Sequence, residues 1–162
     1  MDPARFVTDS SLAFLARRLR FLGYDVLVVK GARLEELLEL GRAEGRVVLT
    51  TSARHPRRYA DVSSRTLPRT DPRELVRAIA AEAAPAGAPF SRCPECNVAL
   101  QRRHGFEARG EVPGRVLRTS PWLTYCPSCG KWYWEGSHVA RLRAWLEEAL
   151  GKPLPGATAP EF

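Results

Sequence analysis

Two short cysteine pairs constrain this chain more than any other feature: Cys93-Pro-Glu-Cys96 and Cys126-Pro-Ser-Cys129. A two-residue spacing lets one turn aim two thiolates at a single tetrahedral ion, and two such turns complete a four-sulfur shell. Pro94 and Pro127 preset the turns, and Gly130 lets the chain reverse with positive φ. Four thiolates leave no coordination position for water, so the spacing predicts structural zinc rather than catalytic zinc. Such a metal supplies folding energy to a small module, on the order of 10 kcal/mol. A redox pair is the weaker reading, because no thioredoxin-like pattern surrounds either dithiol. Disulfides are weaker still in a chain expected to be cytoplasmic.

That expectation of a cytoplasmic protein has two sources. No apolar run approaches the roughly 18–20 residues of a membrane span. The start, Met1-Asp2-Pro3-Ala4-Arg5, does not read as a signal peptide. Among 162 residues, 25 Lys+Arg against 18 Asp+Glu give a formal charge of +7, which suggests an anionic partner, with nucleic acid foremost. The cations are almost all arginine, the better fork for phosphate, although a codon-biased genome gives the same composition.

The segment between the cysteine pairs, residues 97–125, is long for a compact ribbon and implies an inserted hairpin or loop. Trp122–Tyr125 and Lys131–Trp134 read as short strands. Alternation puts Trp132 and Trp134 on one face, where they suit a small core. With Arg102, Arg103, Arg115 and Arg118 nearby, these aromatics also suit a stacking surface for single-stranded nucleic acid. Ser137 is expected to cap a helix through Leu150 that docks the ribbon on the first half, with His138 in a structural hydrogen bond. Residues 151–162 read as a flexible tail.

The first half alternates strand and helix. Strands are expected at Arg5–Thr8, Asp25–Val29, Arg46–Thr50 and, weakly, Val62–Leu67. Ser10 or Ser11 is expected to cap a helix through Leu22 that Gly23 stops, a second helix spans Leu34–Glu44, and Asp71-Pro-Arg-Glu74 opens a third. This pattern predicts an α/β fold: a three-layer parallel sheet with helices on both faces. The expected organisation is residues 1–84 for that domain, 85–150 for the ribbon and its helix, and 151–162 for the tail. Ligands of such sheets bind beyond the carboxyl ends of the strands. Asp9, Thr50, Thr51 and Ser52 fall there, and Glu35 and Glu36 open the second helix on the same side. No Gly-rich phosphate loop is present, which disfavours nucleotide cofactors. Acids at this edge suit a divalent metal and phosphodiester hydrolysis, although Asp9 equally suits a helix cap.

The segments Phe6-Val-Thr-Asp9, Leu15 to Asp25, Glu36-Leu-Leu-Glu-Leu-Gly41 and Glu44 to Thr51, followed by both cysteine pairs and Tyr133-Trp-Glu-Gly-Ser-His138, resemble the Mut-seven C-terminal RNase domain. The resemblance runs in order over roughly residues 5–145. It implies a PIN-like nuclease fold with a trailing zinc ribbon, and RNA cleavage by carboxylates around Mg²⁺ or Mn²⁺. Asp9 matches the acid after the first strand, and Glu36, or else Glu35, the acid on the second helix. Where the family pattern places a third aspartate, this chain has Ser52, so weakened catalysis is expected, with Asp61 a substitute if its loop folds back. The basic run Arg54, Arg57 and Arg58, with Arg17, Arg18 and Arg20 expected to face outward, is available to RNA phosphate or forms an ordinary solvated face. The alternatives to a ribonuclease are an inactive RNA-binding module and a zinc-ribbon platform docking on the ribosome or an RNA-processing protein.

Overall fold

The computed structural model describes residues 2–156. β1 (Arg5–Asp9), β2 (Asp25–Val29), β3 (Val47–Thr50) and β4 (Ser64–Thr66) form one parallel sheet in the order β2-β1-β3-β4. Strand alternation sends Phe6, Val26 and Leu49 to one face and Val7, Leu27 and Val48 to the other. α1 (Ala13–Phe21) and α3 (Pro72–Glu82) cover the first face through Leu15, Leu19, Val76 and Ile79. α2 (Leu34–Glu44) covers the second through Leu37 and Leu38. The three layers are those the strand–helix alternation predicts.

Helix entrances differ in detail from expectation. Asp9, not Ser10 or Ser11, caps the turn before α1: its Oδ1 accepts from the Ser11 N–H at 2.8 Å and from the Ser11 hydroxyl at 2.5 Å. A carboxylate offers a charged acceptor to the positive end of a helix, which a hydroxyl cannot match. Asp71 accepts from the Arg73 N–H at the head of α3, with Pro72 in the first turn as expected.

The second half is a three-stranded antiparallel sheet, β5 (Gln101–His104), β6 (Trp122–Tyr125) and β7 (Trp132–Tyr133). The insertion carries α4 (Gly114–Thr119) as well as β5, more than the expected hairpin or loop. Trp132 and Trp134 pack on Ala108, Val112, Val116 and Leu123, the small core foreseen for them. α5 (Ser137–Leu150) begins with Gly136 at the cap position, so Ser137 lies inside the helix rather than capping it. As expected, α5 docks on the first half: Leu142, Leu146 and Ala149 share the core of Leu19 and Ile79.

Two joints weld the halves. Gly23 sits at φ 95°, its carbonyl accepts from both Ala86 and Gly87 N–H at 3.1 Å, and a Cβ there would lie 2.1 Å from the Gly87 oxygen. Only glycine fits this contact. In the second joint, Asn97 at φ 65° receives the Val26 N–H on Oδ1 and donates to Asp25. Leu154 joins the main core and its N–H reaches Glu147, so the start of the expected tail is held down. Residues 157–162, the second half of that expected tail, lie outside the described residues. No described helix is long and apolar enough to cross a membrane.

Candidate metal centre and sheet edge

The first cysteine pair follows Ser91-Arg92 and the second follows β6, and the two knuckles face each other across the ribbon. The four sulfurs lie within 4.8 Å of one another, with Cys93 and Cys129 Sγ 3.9 Å apart. A tetrahedral ion with metal–sulfur bonds of about 2.3 Å needs sulfur–sulfur edges of about 3.8 Å, so the set fits. The Cys96 N–H points at Cys93 Sγ and the Cys129 N–H at Cys126 Sγ, each at 3.4 Å. Burial pushes the Cys93 thiol up, but the Tyr133 hydroxyl at 3.3 Å and the backbone N–H groups of Cys96 and Glu95 outweigh it and bring the thiol down to about 7. A thiolate is the form a metal requires. Burial and the facing thiolate push Tyr133 up, which keeps its hydroxyl a donor. Among the described residues, these cysteines are the one group of three or more His, Cys, Asp or Glu side chains placed to share an ion.

The carboxyl edge of the parallel sheet holds a different arrangement. A crevice of about 330 Å³ opens between the segments that follow β1, β3 and β4 and the first turn of α3. Its polar lining is Ser11, Thr51, Thr70 and Arg69, with Phe14 on one wall, 49% exposed, and no carboxylate. Asp9 is at this edge but is engaged with Ser11. Glu36 pairs with Arg33 at 3.2 Å, and Glu35 with Arg54 at 2.6 Å. Hydrogen bonds from its own backbone N–H and from Arg54 hold Glu35 below its ordinary range. Ser52 makes a turn: its N–H donates to Thr50 Oγ1 and its hydroxyl accepts from the Arg54 N–H. The acids therefore do not gather into a group of three.

Asp61 does not fold back to replace the missing acid. It precedes β4 at the amino edge of the sheet and is held there by Arg42 through bonds of 2.7 and 2.9 Å. Arg20 does not face RNA either. It is 6% exposed, with Nε on the Val26 carbonyl and Nη1 on the Pro94 carbonyl, because the knuckle packs over it. Arg18 lies against the rings of Phe14 at 4.3 Å and Trp145 at 4.9 Å. Arg17 remains at the surface beside Glu95. Arg57 and Arg58 occupy an exposed turn against α2, with Arg58 over the Tyr59 ring; of the basic run, Arg54 pairs directly with Glu35 and the Arg58 charge also acts on it.

Arg69 and Asn97 are not singled out by the sequence, and Tyr133 stands out there only as a ribbon aromatic, not as a partner of Cys93. Arg69 was within reach of the same edge rule that selected Asp9, since it follows the fourth strand. Asn97 had a local signal too, an asparagine directly after a cysteine knuckle, where left-handed backbone is common.

Neither the curated proteins nor the solved structures yield a significant match to this chain. A family profile described as Mut7-C RNAse domain matches residues 4–146. That span takes in the parallel sheet with its carboxyl-edge crevice, the two cysteine knuckles that close on one another, and most of the helix that joins them. The chain belongs to the Mut7-C RNAse domain family.

Proposed function

We propose that the protein is a PIN-like, metal-dependent ribonuclease of low activity, with a structural zinc on Cys93, Cys96, Cys126 and Cys129. The observation that carries this reading is the placement of Asp9 and the opening turn of α2, with Glu36, at the carboxyl edge of the sheet, where a crevice lined by hydroxyls and Arg69 opens on the α1 and α3 side. Mg²⁺ needs no full protein cage, since one or two carboxylates plus substrate phosphates commonly hold it. When bound there, a divalent ion would supply an activated water and offset charge developing on phosphate. Asp9 and Glu36 are the residues that would hold it. Arg54 and Arg69 stand where they can bind phosphate oxygens, and the threonine hydroxyls can orient them.

Low activity follows from three details of the chain. Asp9 caps a helix turn, Glu36 must leave Arg33, and Ser52 supplies a neutral hydroxyl where the family resemblance expects an acid. The zinc-loaded protein should cleave single-stranded RNA slowly with Mg²⁺ or Mn²⁺. Asp9→Asn should lower that rate on the order of 100-fold, and Ser52→Asp should raise it about tenfold. Cleavage that is absent, or indifferent to Asp9→Asn, rules out hydrolysis at this edge. Ser52 and the paired acids then favour the second reading, an RNA-binding module without hydrolysis.

A further inference from the structure

Leu12, Leu15, Leu19 and Leu22 carry α1 and the residues flanking it into the core, and Phe14 stands off that stripe. It is 49% exposed. Arg18 lies four positions on, its neighbour along the helix surface, and lays its guanidinium over the Phe14 ring at 4.3 Å. Trp145 of α5 stands nearly perpendicular to that ring, 6.1 Å between centroids. Arg18 is held against both rings, and its Nε is buried without a hydrogen-bond partner. The Phe14 ring is thus backed by a fixed cation, and the surface it keeps open lines the crevice at the carboxyl edge.

The segment after β4 brings a second cation to the same crevice. Arg69 sits between Pro68 and Thr70, whose N–H closes a turn on the Pro68 carbonyl at 3.1 Å, and Pro72 follows. Two prolines with fixed φ stiffen this stretch. Arg69 is exposed and forms no ion pair among the described residues. A flat apolar ring, an arginine without an acid, and hydroxyls between them match one nucleotide, its base on the ring and its phosphate on the guanidinium. About 330 Å³ is at the small end of ligand clefts, which suits one nucleotide and not a helix of paired bases. A paired base is already stacked between its neighbours and cannot turn onto the ring. An acidic peptide satisfies Arg69 but leaves the ring without a partner. Ser11, which lines the crevice, also holds Asp9 Oδ1, so this subsite adjoins the carboxylate to which hydrolysis is assigned above.

We propose that Phe14 is a specificity residue of the sheet edge: it stacks one unpaired base of the RNA, with Arg69 on the phosphate of that nucleotide, and so seats the neighbouring phosphodiester beside Asp9. The proposal rests on the RNA reading given above and adds the side chain that selects an unpaired nucleotide at the point of cleavage.

The test is fluorescence anisotropy of a labelled oligouridine, and of the same strand fully paired, with the full-length, zinc-loaded protein and no added Mg²⁺ or Mn²⁺. Cleavage is then followed once either ion is added. Phe14→Ala should weaken oligouridine binding about tenfold, the effect of losing one stacked base, and leave duplex binding unchanged. Phe14→Leu keeps apolar bulk beneath Arg18 but not the flat face, and should lose nearly as much. Phe14→Tyr should restore most of the affinity. Unchanged zinc content and thermal midpoint in Phe14→Leu separate stacking from folding. Arg69→Gln should lower the slope of log affinity against log salt by about 0.7, the share of one phosphate on a single strand. If oligouridine binds but Phe14→Ala and Phe14→Leu leave it within twofold, or weaken the duplex equally, this inference alone falls. A slope that Arg69→Gln leaves unchanged overturns it as well. If the variants behave as expected but no strand is cut, the base subsite stands and hydrolysis falls. If no RNA binds, the inference falls together with the functional reading.

Discussion

At the residue scale, Asp25 is the hub that joins the layers. Its carboxylate receives Arg46 at 2.7 Å, Asn97 at 2.7 Å and Arg5 at 3.4 Å, and the Arg46 side chain is only 7% exposed. Burial pushes the Asp25 carboxyl up, but the hydrogen bonds from Arg46 and Asn97 outweigh it and hold it below its usual range. A carboxylate depressed in the folded state stabilises the fold above its unfolded pKa of about 3.9, and that contribution is lost as pH falls through the folded value. Asp25→Asn should therefore cost about 2 kcal/mol near neutral pH, because the buried Arg46 loses its shorter ion pair and keeps only Glu44, at 3.3 Å. Urea titrations across pH should show the gap between wild type and variant closing below about pH 4. Asp25 was legible as the first residue of a strand, but not as a hub. Its partners stand 21 and 72 positions away, and no local pattern reports on pairs so distant. The same holds for Arg20: periodicity put it off the apolar stripe of its helix, yet a distant knuckle covers it.

At the element scale, the first cysteine knuckle behaves as a part of the parallel sheet. Asn97 and Arg20 take the N–H and C=O of Val26, while Lys131 and Arg17 hold Glu95 from either side. Loss of the metal should therefore be felt in the first half of the chain. Chelation, or Cys96→Ser, should speed amide exchange of Val26 by at least tenfold, with Leu38 in α2 on the far face changed much less. Exchange mass spectrometry that confines the effect to residues 93–134 would contradict this coupling. Both bounds of α2 and the start of α3 are legible in the sequence, because Gly45, at φ 67°, and Asp71 with Pro72 are local signals that tertiary packing does not override. α4 was missed because six residues are too short to display a helical period. β7 keeps only Trp132 and Tyr133 because the Lys131 carbonyl closes the knuckle by accepting from Cys126 N–H, and the Trp134 carbonyl accepts from Gly136 N–H in the turn that leads into α5.

At the scale of the whole molecule, the surplus of positive charge is unevenly available. Arg20 and Arg46 are buried and Arg42 is bound to Asp61, whereas Arg54, Arg57 and Arg58 stay at the surface. RNA binding should weaken steeply with salt, and converting Arg54, Arg57 and Arg58 to glutamine should lower the slope of log affinity against log salt by about 2. A slope unchanged by that triple variant would assign the basic run to ordinary solvation. The family and the layered sheet were legible in the sequence as one reading. The acids of the edge were legible only as positions, since what each one binds depends on neighbours such as Arg33, Arg54 and Ser11. The Asn97 joint has one more consequence. β2 ends the sheet, and an end strand with open amide and carbonyl groups is a template on which another chain can add. At Val26 both groups are already occupied, one by Asn97 and one by Arg20. A metal that sets the knuckle would thus guard the molecule against sticking to its own copies, and the apoprotein should aggregate at concentrations where the loaded protein stays monodisperse by light scattering.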